Sequence, residues 1–295
     1  MNRSRLAAIG QVAHPVIRVA LSLLMIAFGM VKVIPTQFIT FTLPTAMLVP
    51  LGDSSPSGML WKFMATSTPY TVITGVVEVA GGLLLIFRRT TLVGALVCAV
   101  ALTQVSILNI GYDVPVVLTP LVMLGMAIAV TLPWWRRLAD VLVFDRDSPA
   151  RPEPAADTRR IRLAGTGIHL AAALAVLAVM GANGIRTYGD YTERLSALDG
   201  VWAVDEFQGP GPRWVRLAID DRPASQRLAL TRATGEPVQR ELVVDTAEST
   251  LRVGDWTLRY QYRGDTVQLG GEFEGGAVEV SLHRIPLRTE SRVFR

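Results

Sequence analysis

Thr74-Gly75-Val76-Val77-Glu78-Val79-Ala80-Gly81-Gly82-Leu83-Leu84-Leu85-Ile86-Phe87-Arg88-Arg89 is the stretch that decides how this chain is read. It is apolar over most of its length, closes on two arginines and carries one carboxylate, Glu78. Such a run reads as a membrane-spanning helix, in which every backbone polar group is satisfied within the segment. An ionisable group at membrane depth costs a few kcal/mol or more and normally faces a bundle interior or a wet cavity. Glu78 therefore marks both a location and a candidate site.

The rest of the composition fits this reading. Half of the 295 residues are hydrophobic and the mean hydropathy is +0.36. Residues 11–135 contain few ionisable groups, whereas residues 186–295 are dense in Arg, Asp and Glu. A membrane half followed by a water-soluble half follows. The single cysteine, Cys98, allows neither an internal disulfide nor a CxxC redox pair. His14, His169 and His283 are too scattered in the sequence to point to a metal cluster. The net charge of +4 comes from arginines at the ends of apolar runs and among acids, so membrane topology accounts for it and nucleic acid is not expected as a partner.

A span needs roughly 20 mostly apolar residues. Five stretches qualify: 15–34, 71–87, 91–111, 115–134 and 163–183. The first starts far from Met1 and lacks an A-x-A-like site after its core, so a retained helix is expected rather than a cleaved signal. Arg3 and Arg5 precede helix one, Arg88 and Arg89 lie between helices two and three, and seven arginines from Arg136 to Arg162 lie between helices four and five. The opposite loops carry Lys62 alone. This alternation predicts a multi-pass protein of the cell membrane, in contact with membrane lipids, with its N-terminus cytoplasmic and its C-terminal part outside.

Residues 1–145 are thus expected to form a four-helix membrane domain with an outer amphipathic loop, 35–70. Residues 146–162 form a cytoplasmic Pro/Arg-rich linker, 163–185 a fifth, tethering helix, and 186–295 an outer β-rich domain. The 35–70 loop has two apolar clusters, around Phe38–Leu48 and Met59–Met64, broken by Pro44, Pro50 and Pro56. Short interfacial helices over the outer mouth of the bundle are expected there, either as a bare hydrophobic cover or as a lid on a ligand. The fifth helix is rich in Ala and Gly, which suits close packing and a plain anchoring role.

From Gly200 the pattern has a period of two. Runs at 202–207, 214–219, 227–230, 240–244, 250–253, 256–262, 266–269 and 277–282 are separated by turn signals such as Thr-Gly-Glu, Arg-Gly-Asp and Glu-Gly-Gly. The expected fold class is therefore an α-helical membrane bundle followed by a small all-β antiparallel barrel or sandwich. Gly200-Val201-Trp202 resembles the Gly-x-Trp start of lipocalin-like barrels. With about 95 residues the domain is smaller than a full lipocalin, so a small or filled interior is expected. Arg263-Gly264-Asp265 reads as a hairpin turn rather than an adhesion signal.

Arg18, Ser22, Met25, Gly29 and Lys32 share one face of helix one, and Gly75, Glu78 and Gly82 share one face of helix two. At about 1.5 Å per residue, Lys32, Glu78, Gln104 and Asn109 fall in the outer half of the bundle, with Tyr112 and Asp113 above them. Gln104 and Asn109 differ by about 140° around their helix, so one of the two faces Glu78 squarely. Two readings stay open at this point. Glu78 pairs with Lys32 or Gln104 to fix helix packing, or it is a proton acceptor in a small-molecule site lined by Arg18, Lys32, Gln104, Asn109, Tyr112 and Asp113.

Phe28-Gly29-x-x-Lys32 with Arg18, the Gly75–Gly82 run leading into Arg88-Arg89-Thr90-Thr91-Leu92-Val93-Gly94-Ala95, and Leu108-Asn109-Ile110-Gly111-Tyr112-Asp113-Val114-Pro115-Val116 together resemble the DoxX family of four-helix membrane proteins. The third block resembles a longer DoxX-like subgroup that appends a fifth helix and a β-rich tail with a Trp near its start and an Arg-Gly-Phe-like ending. Gly200-Val201-Trp202 and Ser291-Arg292-Val293-Phe294 correspond, with Val293 in place of the Gly. The resemblance covers residues 15–145 well and the remainder loosely.

The resemblance implies a membrane subunit of a quinone-linked redox complex. The chain has no flavin or dinucleotide fingerprint and no vicinal thiols. No cofactor is encoded, so a quinone and a redox partner subunit are what such chemistry needs. The alternative is a non-catalytic membrane protein whose outer β-domain binds a partner or envelope component. Solute transport has less in its favour, because no inverted repeat or paired broken helices are seen.

Overall fold

The computed structural model describes residues 3–147, 156–235 and 237–287. The chain forms a helical bundle followed by a closed β-barrel, and it divides into two compact units. One comprises residues 1–37 and 67–185, the other residues 38–66 and 186–295. Part of the proline-rich linker (148–155) and the Ser291–Phe294 block lie outside the described residues.

The helices are α1 (Arg3–Val33), α2 (Pro44–Met47), α3 (Pro56–Thr66), α4 (Thr68–Leu84), α5 (Thr91–Gly111), α6 (Leu118–Thr131), α7 (Trp135–Leu142) and α8 (Ala156–Thr192). In the first unit α1 packs on α4, α4 on α5, α5 on α6, and α6 returns to α1. Leu21, Met25, Leu85, Ala95, Cys98, Leu102, Met123 and Ala127 fill the centre of this ring. Ala173 of α8 packs against Ile26 and Ile86 in a separate cluster.

Among the described residues four segments are long and apolar enough to cross a membrane: Ala13–Val33, Thr91–Gly111, Leu118–Leu142 and Leu163–Thr192. The stretch expected as the second crossing is a shorter apolar helix of 17 residues, about 25 Å long. Val93, Val100, Ile107 and Ile110 stand exposed along α5, as do Ile168, Leu174 and Val179 along α8. An apolar exterior around a closely packed interior is what lipid as a solvent selects. The chain is a multi-pass membrane protein.

The second unit carries β1 (Gly200–Gln208), β2 (Trp214–Arg222), β3 (Ser225–Arg232), β4 (Pro237–Asp245), β5 (Thr250–Val253), β6 (Trp256–Arg263), β7 (Thr266–Phe273) and β8 (Gly276–Arg284). Each strand pairs antiparallel with the next, and β8 closes on β1 with Trp202 opposite Arg284. Closure decides for a barrel over a sandwich. Gly264, at φ +68, sits in the two-residue turn between the Arg263–Thr266 pair, so Arg-Gly-Asp is a hairpin turn. Trp202, Trp214, Leu217, Ile219, Leu258, Phe273 and Leu282 belong to one continuous apolar core that fills the interior.

Residues 38–66, expected with the membrane domain, pack instead with the barrel. On β2, Leu217 and Ile219 point inward, so Ala218 and Asp220 point outward. Both outward residues are nevertheless fully buried. Leu48 covers Ala218, Ala229 and Val201 together with Ile285 and Leu287, and Thr45 hydrogen-bonds Asp220. The sheet therefore has apolar and hydrogen-bonding positions on its outer face that only a second segment can satisfy. Arg222 makes a bidentate pair with the buried Asp199 at 2.9 and 3.0 Å and donates to the Tyr191 carbonyl at 2.6 Å, tying the last turn of α8 to β2.

Candidate functional site

Small residues bring α1 and α4 into backbone contact. A Cβ placed on Gly75 would lie 2.7 Å from the Gly29 carbonyl oxygen, and one on Gly29 would lie 2.8 Å from the Gly75 carbonyl oxygen. Further along, Gly82 faces the Ser22 backbone, and the Ser22 hydroxyl donates to the Gly82 carbonyl at 2.7 Å. This approach places Lys32 beside Glu78. The Lys32 Nζ donates to both Glu78 carboxylate oxygens, each at 2.6 Å, and the two side chains are 9% and 6% exposed. Short, charge-assisted, doubly donated bonds of this kind are strong, and the low surrounding dielectric strengthens them further.

Of the residues expected to share this site, Lys32 and Glu78 come together. Gln104 does not join them. On α5 the buried positions are Thr91, Gly94, Ala95, Cys98, Leu102 and Ser106, and Gln104 stands on the opposite, exposed side. Gly81 faces Cys98 across the α4–α5 contact, so the level of Glu78 corresponds to Ala101 and Leu102 of the antiparallel helix. Asn109, half-buried, accepts the Val114 N–H through its carbonyl, while Tyr112 and Asp113 are exposed in the turn that ends α5, Asp113 at φ +49. These three residues build a helix terminus. Arg18 is buried but precedes Lys32 by 14 positions on α1, about 21 Å along the axis, and donates to Thr91 Oγ1 at 3.3 Å.

Several buried polar groups of the bundle were not among the expected site residues, Ser106, Thr91 and His169 among them. Ser106 faces the bundle interior with its hydroxyl unpartnered, Thr91 accepts from Arg18, and His169 is 1% exposed with neither ring nitrogen hydrogen-bonded. His169 was open to the rule that singled out Glu78, being ionisable within an apolar span.

Among the described residues no group of three His, Cys, Asp or Glu side chains is placed to hold a metal ion. The chemistry on offer near Glu78 is proton transfer and hydrogen bonding. The carboxylate accepts a proton, and the ammonium donates one to it or to a polar atom of a ligand. Comparisons with protein-family models, with curated proteins and with solved structures find no match.

Proposed function

We propose that the helical bundle binds a lipid-soluble carbonyl compound of the quinone class beside Lys32 and Glu78, as the membrane subunit of a redox complex. The observation that carries this reading is the buried Lys32–Glu78 ion pair. Glycine contacts between α1 and α4 already fix the helix crossing, so packing alone does not call for two charges at membrane depth. Lys32 has a donor left for a ligand carbonyl, and Glu78 holds and releases the proton that accompanies reduction. The electrons come from a partner subunit. The likeness of the Gly75–Gly82 and Leu108–Val116 blocks to the DoxX family points the same way.

Titrating a short-chain quinone into the detergent-solubilised full chain tests this. Binding is expected to weaken about tenfold or more in Glu78→Gln and in Lys32→Met, since each removes a charge-assisted bond. Equal affinity in both variants would sink the proposal.

The arginine distribution supports placing the N-terminus in the cytoplasm and the barrel outside the cell membrane. In a Cys98→Ser background, a cysteine introduced at Gly235 should then react with an impermeant thiol reagent added from outside. Reaction from the cytoplasmic side alone would reverse the orientation.

The filled barrel interior favours a second reading for the soluble unit, recognition of a partner or envelope component through its outer surface. Val215 and Val243, half-exposed on that surface, are the positions to change. Charged replacements there should abolish recovery of a co-purifying partner while leaving quinone binding intact, and unchanged recovery would count against this reading.

A further inference from the structure

The bundle holds a second polar group of side chains that the Lys32–Glu78 site does not use. The Arg18 guanidinium is buried. Its Nη1 donates to Thr91 Oγ1, and its Nε has no hydrogen-bond partner. The Thr91 hydroxyl spends its own proton on the Phe87 carbonyl at 2.9 Å, so toward Arg18 it acts as an acceptor. From α8 comes His169, fully buried with both ring nitrogens unsatisfied.

Helix packing puts these groups near one another. α8 runs parallel to α1, with Ala173 against Ile26, Gly181 toward Met30 and Gly184 against Ile34. One turn before Ala173, His169 is level with Ser22, one turn from Arg18. Arg88 stands exposed in the turn between α4 and α5. Among the described residues no carboxylate pairs with Arg18. A buried guanidinium with no counter-charge is strongly unfavourable, and so is a buried imidazole with no hydrogen bond. A ligand with negative charge and several acceptor oxygens relieves both.

We propose that Arg18 and His169, with Thr91 positioning the guanidinium, form a binding site for a phosphate-type anion at the end of the bundle where Arg88 and Arg89 join α4 to α5. The guanidinium supplies the planar fork that suits phosphate oxygens, and the imidazole adds a donor from a second helix. A phospholipid headgroup and free phosphate share this chemistry, and basic sites between membrane helices take such headgroups.

The test uses the full chain in a zwitterionic detergent. Its melting temperature is followed against added phosphatidylglycerol or phosphatidylcholine in one arm, and against inorganic phosphate or chloride at equal ionic strength in the other. Stabilisation by phosphatidylglycerol but not phosphatidylcholine identifies a lipid headgroup, and stabilisation by phosphate over chloride identifies the soluble ion. Either response should need about tenfold more ligand in Arg18→Gln, and Arg18→Lys, which keeps the charge but loses the fork, should fall between. His169→Phe should weaken the response with no loss of the arginine charge. An identical response in wild type and His169→Phe or Arg18→Gln overturns the site. Should Arg18→Gln not fold, a wild-type protein indifferent to both phosphatidylglycerol and phosphate overturns it equally.

Discussion

Thr45 and Asp220 are 175 positions apart and share two hydrogen bonds: the Thr45 N–H donates to Oδ1 at 2.9 Å and its hydroxyl to Oδ2 at 2.5 Å. Ser225 donates to the same carboxylate at 3.2 Å. An acid on the outside of a barrel strand is thus removed from water by a segment that precedes α4 to α8 in the sequence.

Burial pushes the Asp220 carboxyl above the usual carboxylate value of 3.8; the bonds from Thr45 and Ser225 oppose this, and the Asp199 charge adds to it. The folded chain therefore keeps this proton to higher pH than the unfolded chain. Below pH 3.8 Asp220 is protonated in both states and has no effect on the balance. As pH rises through the window between 3.8 and the raised folded value, the unfolded state loses its proton first and stability falls, and above that window the loss is constant. Denaturant unfolding of the full chain across pH should show this decline, and Asp220→Asn should flatten it. Thr45→Val, which deletes one donor to the carboxylate, should cost about 1–3 kcal/mol at neutral pH.

Removing one member of the Lys32–Glu78 pair leaves a lone buried charge. Glu78→Leu or Lys32→Met alone should destabilise the bundle by about 3–5 kcal/mol, whereas the two together should return close to wild-type stability. A double-mutant cycle on thermal unfolding in detergent measures the coupling.

The α1–α4 crossing has no room for a methyl group at Gly75, where backbone atoms of Gly29 and Val33 stand 2.7 Å from the Cβ position. Gly75→Ala should cost about 1–3 kcal/mol through overpacking. Gly125→Ala on α6, with nothing within 4 Å, should leave the melting temperature unchanged or raised.

Barrel closure is held by Arg284. Its guanidinium lies 4.4 Å from the Trp202 ring and donates to the carbonyls of Asp199, at 2.9 Å, and of Ala197. Arg284→Met keeps most of the aliphatic stem and should still lower barrel stability by about 2–4 kcal/mol. Urea unfolding followed by tryptophan emission reads this directly.

Much of this architecture was legible in the sequence, because period-two runs and 20-residue apolar runs are local signals. All eight strands fall on the expected segments. Barrel closure was not legible: it rests on β1 meeting β8, a pairing that no single run encodes. The covering segment at 38–66 was missed for a similar reason, although β2 carried a hint. Its Leu217–Arg222 stretch is buried on both faces, with two adjacent carboxylates, Asp220 and Asp221, where alternation would leave every other residue in water. In the membrane, depth along a helix was readable at 1.5 Å per residue, which brought Lys32 and Glu78 to one level. The facing of α5 was not readable, because its surface is apolar all round and the choice between Gln104 and Leu102 depends on which neighbour packs there.

The long separation of Thr45 from Asp220 also sets an order of events during synthesis. At about 5–20 residues per second, residues near Thr45 leave the ribosome about 10–35 s before Asp220 does. Through that interval the apolar side chains of 38–66 have no sheet to cover, and Leu48 meets Ala218 and Ala229 after the intervening helices have been made. The barrel unit of this protein is thus discontinuous in time as well as in sequence: its earliest piece must wait, unpaired, for its last.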